Sequence, residues 1–76
     1  MNTKYIIAIF KTRSYTYGFY NALKDSGIKC SIIDTPRQNF KSCGLSVKFL
    51  SKDLSKANEK LSMYRRDFIG YFKTNN

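Results

Sequence analysis

A chain of 76 residues leaves room for one domain with a thin core, since a domain of this size buries only about 60% of its unfolded surface. The formal net charge of +9 fits an anionic partner, and it fits equally well a surface whose charges are only solvated. The absence of histidine excludes catalytic triads that use it, and two cysteines without Cys-x-x-Cys spacing are too few for a zinc or iron–sulfur site, so we expect no metal and no cofactor.

The sequence also indicates the compartment. No apolar run approaches the roughly 20 residues that span a bilayer, and the N-terminus lacks the residue order of a signal peptide. Disulfides are rare in the cytosol, so both cysteines are expected as reduced thiols. We therefore expect a soluble cytoplasmic protein with no membrane partner, one domain over residues 1–76 with an ordered core over residues 4–73.

The first half of the chain predicts a strand, a helix and a second strand. Residues 5–10 form an apolar run rich in β-branched and aromatic side chains, which is typical of a strand inside a sheet. Ser14 offers an N-cap for a helix, and Gly27 supplies the residue that commonly follows one. A half-buried strand follows over residues 28–33, where three apolar side chains share one face: Ile28, Cys30 and Ile32.

The second half repeats this order after a loop over residues 34–44, which contains the only proline. Alternation predicts a third strand with its apolar side chains directed to the core: Leu45, Val47 and Phe49. Ser51 or Asp53 can cap a second helix with one apolar stripe: Leu54, Ala57, Leu61 and Tyr64. Arg65 and Arg66 are expected to complement the dipole at its C-terminus, and residues 68–72 predict the last strand.

The order strand, helix, strand, strand, helix, strand predicts an α+β fold. Its simplest packing with right-handed crossovers is the ferredoxin-like arrangement, in which two helices cover one face of a four-stranded antiparallel sheet.

Cys43 is the main candidate for chemistry because it precedes Gly44 where a polar loop becomes the third strand. A free thiol has a pKa of about 8.5 and is mostly protonated at neutral pH. Arg37 and Lys41 lie close to it in sequence and are the candidates for stabilising its thiolate. The alternative is that Cys43 is only a small turn residue. Cys30, on an apolar strand face, is expected to act as a small hydrophobe.

Two further residues shape this loop. Pro36 fixes its own φ at the start of the loop, and Gly44 is expected to adopt backbone angles that the turn requires. Arg37 can direct its planar fork at an anion near the sulfur, although a solvated arginine beside a turn proline explains it equally well.

The same residues carry a family resemblance. Thr35-Pro36-Arg37, a short polar stretch and Cys43-Gly44-Leu45 stand between a strand that ends in aliphatic residues and one that reads Leu-Ser-Val-Lys-Phe. This arrangement resembles the signature of the selenium/sulfur carrier protein-like family of small bacterial proteins. The resemblance covers nearly the whole chain, but only Ser42 remains of the serine-rich stretch that family members often have before the cysteine.

The resemblance implies a carrier or adaptor that holds sulfur or selenium on Cys43 as a persulfide or selenosulfide. The implied partners are the enzymes that donate and accept this atom. No stand-alone catalytic activity is expected, because paired carboxylates, a histidine base and a phosphate-binding glycine loop are all missing from the sequence.

Two other classes stay open at this point. Net charge and element order also fit a nucleic-acid-binding module, but the third strand lacks the exposed aromatics of an RNA-recognition motif, so any such binding should be weak, nonspecific and salt-dependent. A plain protein-interaction domain fits the thin core. The sequence leaves the oligomeric state open.

Overall fold

The computed structural model describes residues 4–35 and 44–74. Its strands form one antiparallel sheet in the order β2-β3-β1-β4, which confirms the predicted α+β ferredoxin-like fold. The elements follow one another in this order: β1 (Tyr5–Phe10), α1 (Arg13–Asp25), β2 (Cys30–Asp34), β3 (Leu45–Leu50), a 3-10 turn (Ser51–Asp53), α2 (Leu54–Leu61), a second 3-10 turn (Arg65–Asp67) and β4 (Phe68–Thr74).

Strand β1 lies inside the sheet because it pairs with β3 on one side and β4 on the other. All its residues after Tyr5 are buried. Ile6, Ala8 and Phe10 belong to the core cluster under the helices, so the alternation of a strand places Ile7 and Ile9 on the opposite face. The apolar run therefore has the central position that its composition predicts.

Both helices pack on one face of the sheet around a shared core. Phe19 and Leu23 of α1 meet Ala57 and Leu61 of α2 in this cluster, and β3 contributes Val47 and Phe49. Full burial of one such large apolar side chain contributes about 1.5–3 kcal/mol, so this layer is the main source of stability. The predicted core orientation of β3 is confirmed for Val47 and Phe49, and Leu45 is half-buried at the start of the strand.

Helix α1 is capped by Thr12, and the predicted cap at Ser14 is wrong. Thr12 has extended backbone angles, and its Oγ1 accepts a hydrogen bond from the amide of Tyr15 at 3.4 Å. The same hydroxyl donates to Oδ2 of Asp67 at 2.9 Å. Threonine and serine are both common N-cap residues, so the local sequence fits either position, and the hydrogen bond to a residue 55 positions away favours Thr12.

The end of α1 explains why β2 begins later than residue 28. Gly27 has a φ of 79° just beyond the helix, the left-handed geometry that favours glycine. The amide of Ile28 then donates to the carbonyl oxygen of Leu23 at 3.0 Å and closes the helix end. Because that amide is committed to the helix, strand pairing starts only at Cys30.

Helix α2 is entered through a 3-10 turn and has the predicted apolar stripe, with Ala57 and Leu61 buried. Asp53 occupies the N-cap position without a side-chain capping bond. The expectation that Arg65 and Arg66 complement the dipole of this helix is wrong. The helix ends at Leu61, and the two arginines belong to a separate turn that leads into β4.

Candidate functional site

The candidate site lies at the end of the sheet where the chain passes from β2 to β3. Asp34 and Leu45 form the last recorded pair of these strands. Beyond them, the amide of Thr35 donates to the carbonyl oxygen of Gly44 at 2.8 Å. The hydroxyls of Thr35 and Ser46 also share a buried hydrogen bond of 2.7 Å. Both ends of the connection over residues 36–43 are therefore fixed against each other.

Most of the predicted site residues belong to that connection. Pro36, Arg37, Lys41 and Cys43 lie outside the described residues, so their roles stay predictions. Gly44 is described, and its φ of 90° lies in the left-handed region. No other atom of the described residues lies within 4 Å of the position that a Cβ would take there, so the positive φ is the observation that favours glycine.

Four exposed cations lie at the same end of the sheet. Ile9 pairs with Ser46, so the end of β1 is next to the start of β3, and the start of β4 follows on its other side. The amide of Lys11 donates to the carbonyl oxygen of Asp67 at 3.0 Å, which joins the two chain segments that carry the cations. We call this surface the basic end: Lys11, Arg13, Arg65 and Arg66.

Sequence reasoning missed the basic end because its two segments lie more than 50 residues apart in the chain. The signal that could have found it is the predicted topology. In this fold, the β1–α1, β2–β3 and α2–β4 connections all meet at one end of the sheet. The two pairs of basic residues belong to the β1–α1 and α2–β4 connections. The topology therefore brings both pairs to the end of the sheet where the β2–β3 connection lies.

Two acidic residues are described at this end: Asp34 is exposed at the end of β2, whereas Asp67 is held inward. Its Oδ2 accepts from the amide of Thr12 at 2.8 Å and from the Thr12 hydroxyl at 2.9 Å. Only about 8% of the residue is exposed. Its carboxylate therefore fixes the start of α1 and is turned toward the protein, while the cations around it are exposed.

Cys30 is half-buried on the edge strand β2 and packs against the core, as predicted. Its Sγ donates to the carbonyl oxygen of Tyr20 at 3.6 Å. Burial raises the pKa of this thiol, and the ammonium of Lys24 opposes that rise only in part. It also lines an open hollow of about 440 Å³ with Tyr5 and Lys48. Because the thiol stays protonated at neutral pH, it is a poor nucleophile.

The part of the chain that the structure describes contains no group of three or more histidine, cysteine or acidic residues that could hold a metal ion. Within the same ranges, 4–35 and 44–74, no helix is long and apolar enough to cross a membrane.

Comparison with known protein families gives one match, over residues 4–72, to the model described as Putative Se/S carrier protein-like. The match includes every strand and helix of the domain, except for the last two residues of β4. It also includes both fixed ends of the β2–β3 connection. Among curated proteins, the comparison found no match.

Proposed function

Because this chain belongs to the Se/S carrier protein-like family, we propose that it carries sulfur or selenium between enzymes on the thiol of Cys43. The observation that best supports the proposal is the junction of Thr35 with Gly44, closed by a backbone hydrogen bond of 2.8 Å. Cys43 directly precedes Gly44 in the sequence. The carrier thiol is thus attached one residue away from a fixed point at the end of the sheet.

The proposed chemistry is a thiol exchange that needs no external oxidant. The Cys43 thiolate attacks the outer sulfur of a persulfide on the donor enzyme. A bond forms between Cys43 Sγ and that sulfur, the donor's S–S bond breaks, and the donor leaves as a thiolate. An acceptor thiolate then attacks the carried sulfur and releases the Cys43 thiolate. A donor that holds selenium in the outer position reacts by the same exchange and gives a selenosulfide.

The residues near Cys43 in sequence have proposed roles in this exchange. Arg37 and Lys41 stabilise the thiolate, because cations close to a thiol lower its pKa. Pro36 and Gly44 shape the loop through their restricted and left-handed backbones. We place the protein in the cytoplasm, where a reducing environment keeps the thiol available. The protein acts as a carrier between donor and acceptor enzymes and not as an enzyme alone.

The second cysteine of the chain supports the assignment to Cys43. Cys30 is half-buried, it donates to a backbone carbonyl, and burial raises the pKa of its thiol. A thiol in this state attacks slowly at neutral pH, because the thiolate is the nucleophile. Only one other cysteine is present in the sequence, so the transferable atom is assigned to it.

Thiol labelling tests the proposal. We expect a thiol probe to modify Cys43 at neutral pH at least about tenfold faster than Cys30, with Cys30→Ser and Cys43→Ser variants to separate the two rates. The rate at Cys43 should show an inflection below the ordinary thiol pKa of about 8.5. Arg37→Gln with Lys41→Gln should move this inflection upward, since both neighbouring charges are removed.

The matched control for these substitutions is Lys4→Gln with Lys52→Gln, which removes the same charge at the opposite end of the sheet. We expect it to leave the inflection in place, because salt screens charges more than about 10 Å apart. Equal rates at the two cysteines, or an inflection that moves equally in both double variants, would contradict the proposed role of Cys43.

A further inference from the structure

The arginines of this chain belong to one end of the sheet, whereas its lysines are distributed over both ends. The sequence has four arginines, of which Arg13, Arg65 and Arg66 lie at the basic end. The fourth, Arg37, belongs to the β2–β3 connection, which leaves the sheet at that same end. Exposed lysines occupy the opposite end as well: Lys4, Lys52 and Lys73. Net charge alone does not explain this separation of residue types.

The two chain segments that carry the basic end are joined by hydrogen bonds to Asp67, so their backbones stay close together. Lys11 and Thr12 both donate amide hydrogen bonds to Asp67, at 3.0 and 2.8 Å. Arg13 follows this pair directly, and Arg65 and Arg66 directly precede Asp67. Four exposed positive charges are therefore presented together beside the fixed ends of the β2–β3 connection.

This arrangement works against the stability of α1. Arg13 is the first residue of the helix, Lys11 lies just before it, and the first turn has no acidic residue. The N-terminal end of a helix carries partial positive charge, so cations there are repelled and carboxylates are the favourable choice. The carboxylate of Asp67 lies at this helix end through its hydrogen bonds with Thr12 and offsets part of the repulsion, so it is the surplus of exposed cations around it that folding does not explain.

We propose that the basic end docks a carboxylate-rich surface of a partner protein. The arginine fork binds a carboxylate through two parallel hydrogen bonds, whereas a lysine acts as a point charge. Arginine is enriched and lysine depleted at protein–protein interfaces, which matches the separation of the two residue types in this fold. The phosphates of a nucleic acid can also bind such cations. The face of the sheet away from the helices offers few bases a stacking surface, because β3 presents Ser46, Lys48 and Leu50 there, and the aromatic side chains of Tyr5 and Phe72 on that face are half-buried and lie outside the basic end.

The identity of the partner as a donor or acceptor of sulfur or selenium rests on the proposed function, but the docking itself does not. The basic end consists entirely of described residues and needs no reaction at Cys43. Because the basic end and Gly44 lie at the same end of the sheet, a docked acidic surface would lie beside the junction of Thr35 with Gly44.

Two matched triple variants test the docking. One replaces the arginines of the basic end (Arg13→Gln, Arg65→Gln, Arg66→Gln), and the other removes the same charge at the opposite end (Lys4→Gln, Lys52→Gln, Lys73→Gln). The probe is a fluorescent oligoglutamate peptide, with binding measured by anisotropy at low ionic strength. We expect the arginine variant to bind about tenfold more weakly and the lysine variant to change by less than about twofold.

Equal losses of binding in the two triple variants would overturn the inference, because the peptide would then report net charge alone. Fluorescent oligothymidylate is measured in parallel. If oligothymidylate binds the wild type more tightly than the peptide does, and if its affinity falls further than that of the peptide in the arginine variant, the surface is a nucleic-acid site and the inference fails. Urea denaturation verifies that both variants fold.

A Cys43→Ser variant separates this inference from the carrier proposal. We expect it to bind the peptide as the wild type does. Peptide binding that is lost only in the arginine variant supports docking even if Cys43 never accepts sulfur. Sulfur loading of Cys43 together with equal losses in both triple variants would support the carrier and overturn the docking.

Discussion

Gly18 lies inside α1, where glycine weakens a helix by about 0.5–1 kcal/mol relative to alanine. Its place in the fold explains this choice. A Cβ at this position would lie 2.7 Å from Cε1 of Tyr64, which is closer than packed atoms approach. The Tyr64 ring is itself held by edge contacts to Tyr15 and Phe19, with centroid distances of 6.0 and 6.2 Å. Glycine thus allows Tyr64 to pack on the helix.

We expect Gly18→Ala to lower the free energy of unfolding by about 1–2 kcal/mol, because the added methyl group overpacks against a ring that has little room to move. In a Tyr64→Ala background, the same substitution should instead raise stability by about 0.5–1 kcal/mol, since only the helix propensity remains. Urea denaturation of the four proteins measures both effects. A stabilising Gly18→Ala in the wild-type background would contradict this packing.

The thiol of Cys30 couples stability to pH. Burial raises its pKa in the folded state, and the Lys24 ammonium opposes this in part. The folded protein therefore keeps this proton to a higher pH than the unfolded chain. The contribution of this thiol to the free energy of unfolding is fully present below its pKa in the unfolded chain, about 8.5. It is lost as the pH rises through the pKa of the thiol in the folded protein.

Replacing Cys30 by alanine should remove this part of the pH dependence. We expect the free energy of unfolding of Cys30→Ala to fall less steeply than that of the wild type between neutral pH and about pH 10. Burial also raises the pKa of Tyr71, so both proteins should lose further stability at still higher pH. Parallel stability curves for the two proteins over this range would contradict the account of Cys30.

At the scale of elements, α1 has a cation near each of its ends, and the two cations differ in their effect on the helix. Arg13 lies at the N-terminal end, whereas Lys24 lies in the last turn, where a cation complements the helix dipole. Lys24 also lies 5.3 Å from the centroid of the Tyr20 ring. One helix therefore contains both an unfavourable and a favourable cation.

We expect Arg13→Gln to raise the free energy of unfolding by about 0.3–1 kcal/mol and Lys24→Gln to lower it by a similar amount. Arginine, lysine and glutamine have similar helix propensities, so the charge is the main difference. Denaturation at low salt measures both effects, and added salt should reduce them. Changes of the same sign in both variants would contradict the dipole argument and weaken the case for the basic end.

The elements of this protein were largely predictable from its sequence, because each rests on a local pattern. Strand β1 is a continuous apolar run, and the apolar stripe of α2 and the glycine after α1 stand at the expected positions. The start of α1 was predicted at the wrong residue, because Thr12 and Ser14 are both common N-cap residues and the hydrogen bond of Thr12 to Asp67, which distinguishes them, exists only in the folded chain. Contacts of this kind depend on the finished fold.

At the scale of the whole molecule, one part of the candidate site could be predicted from the sequence, and another part could be found only in the structure. The family could be predicted from residues adjacent in sequence. The junction of Thr35 with Gly44 and Ser46 follows from strand pairing, but its buried hydroxyl pair needed the structure. The basic end combines segments from opposite ends of the chain, so it required the three-dimensional arrangement. The reactivity of Cys43 stays a prediction.

Direct sulfur loading tests this central prediction. The protein is incubated with a cysteine desulfurase and cysteine, freed of small thiols, and analysed by intact mass and peptide mapping without reductant. We predict that one sulfur atom is added on Cys43, that Cys30→Ser is loaded equally and that Cys43→Ser is not loaded. Equal loading of the Cys43→Ser variant, or a persulfide found on Cys30, would contradict the carrier role proposed for Cys43.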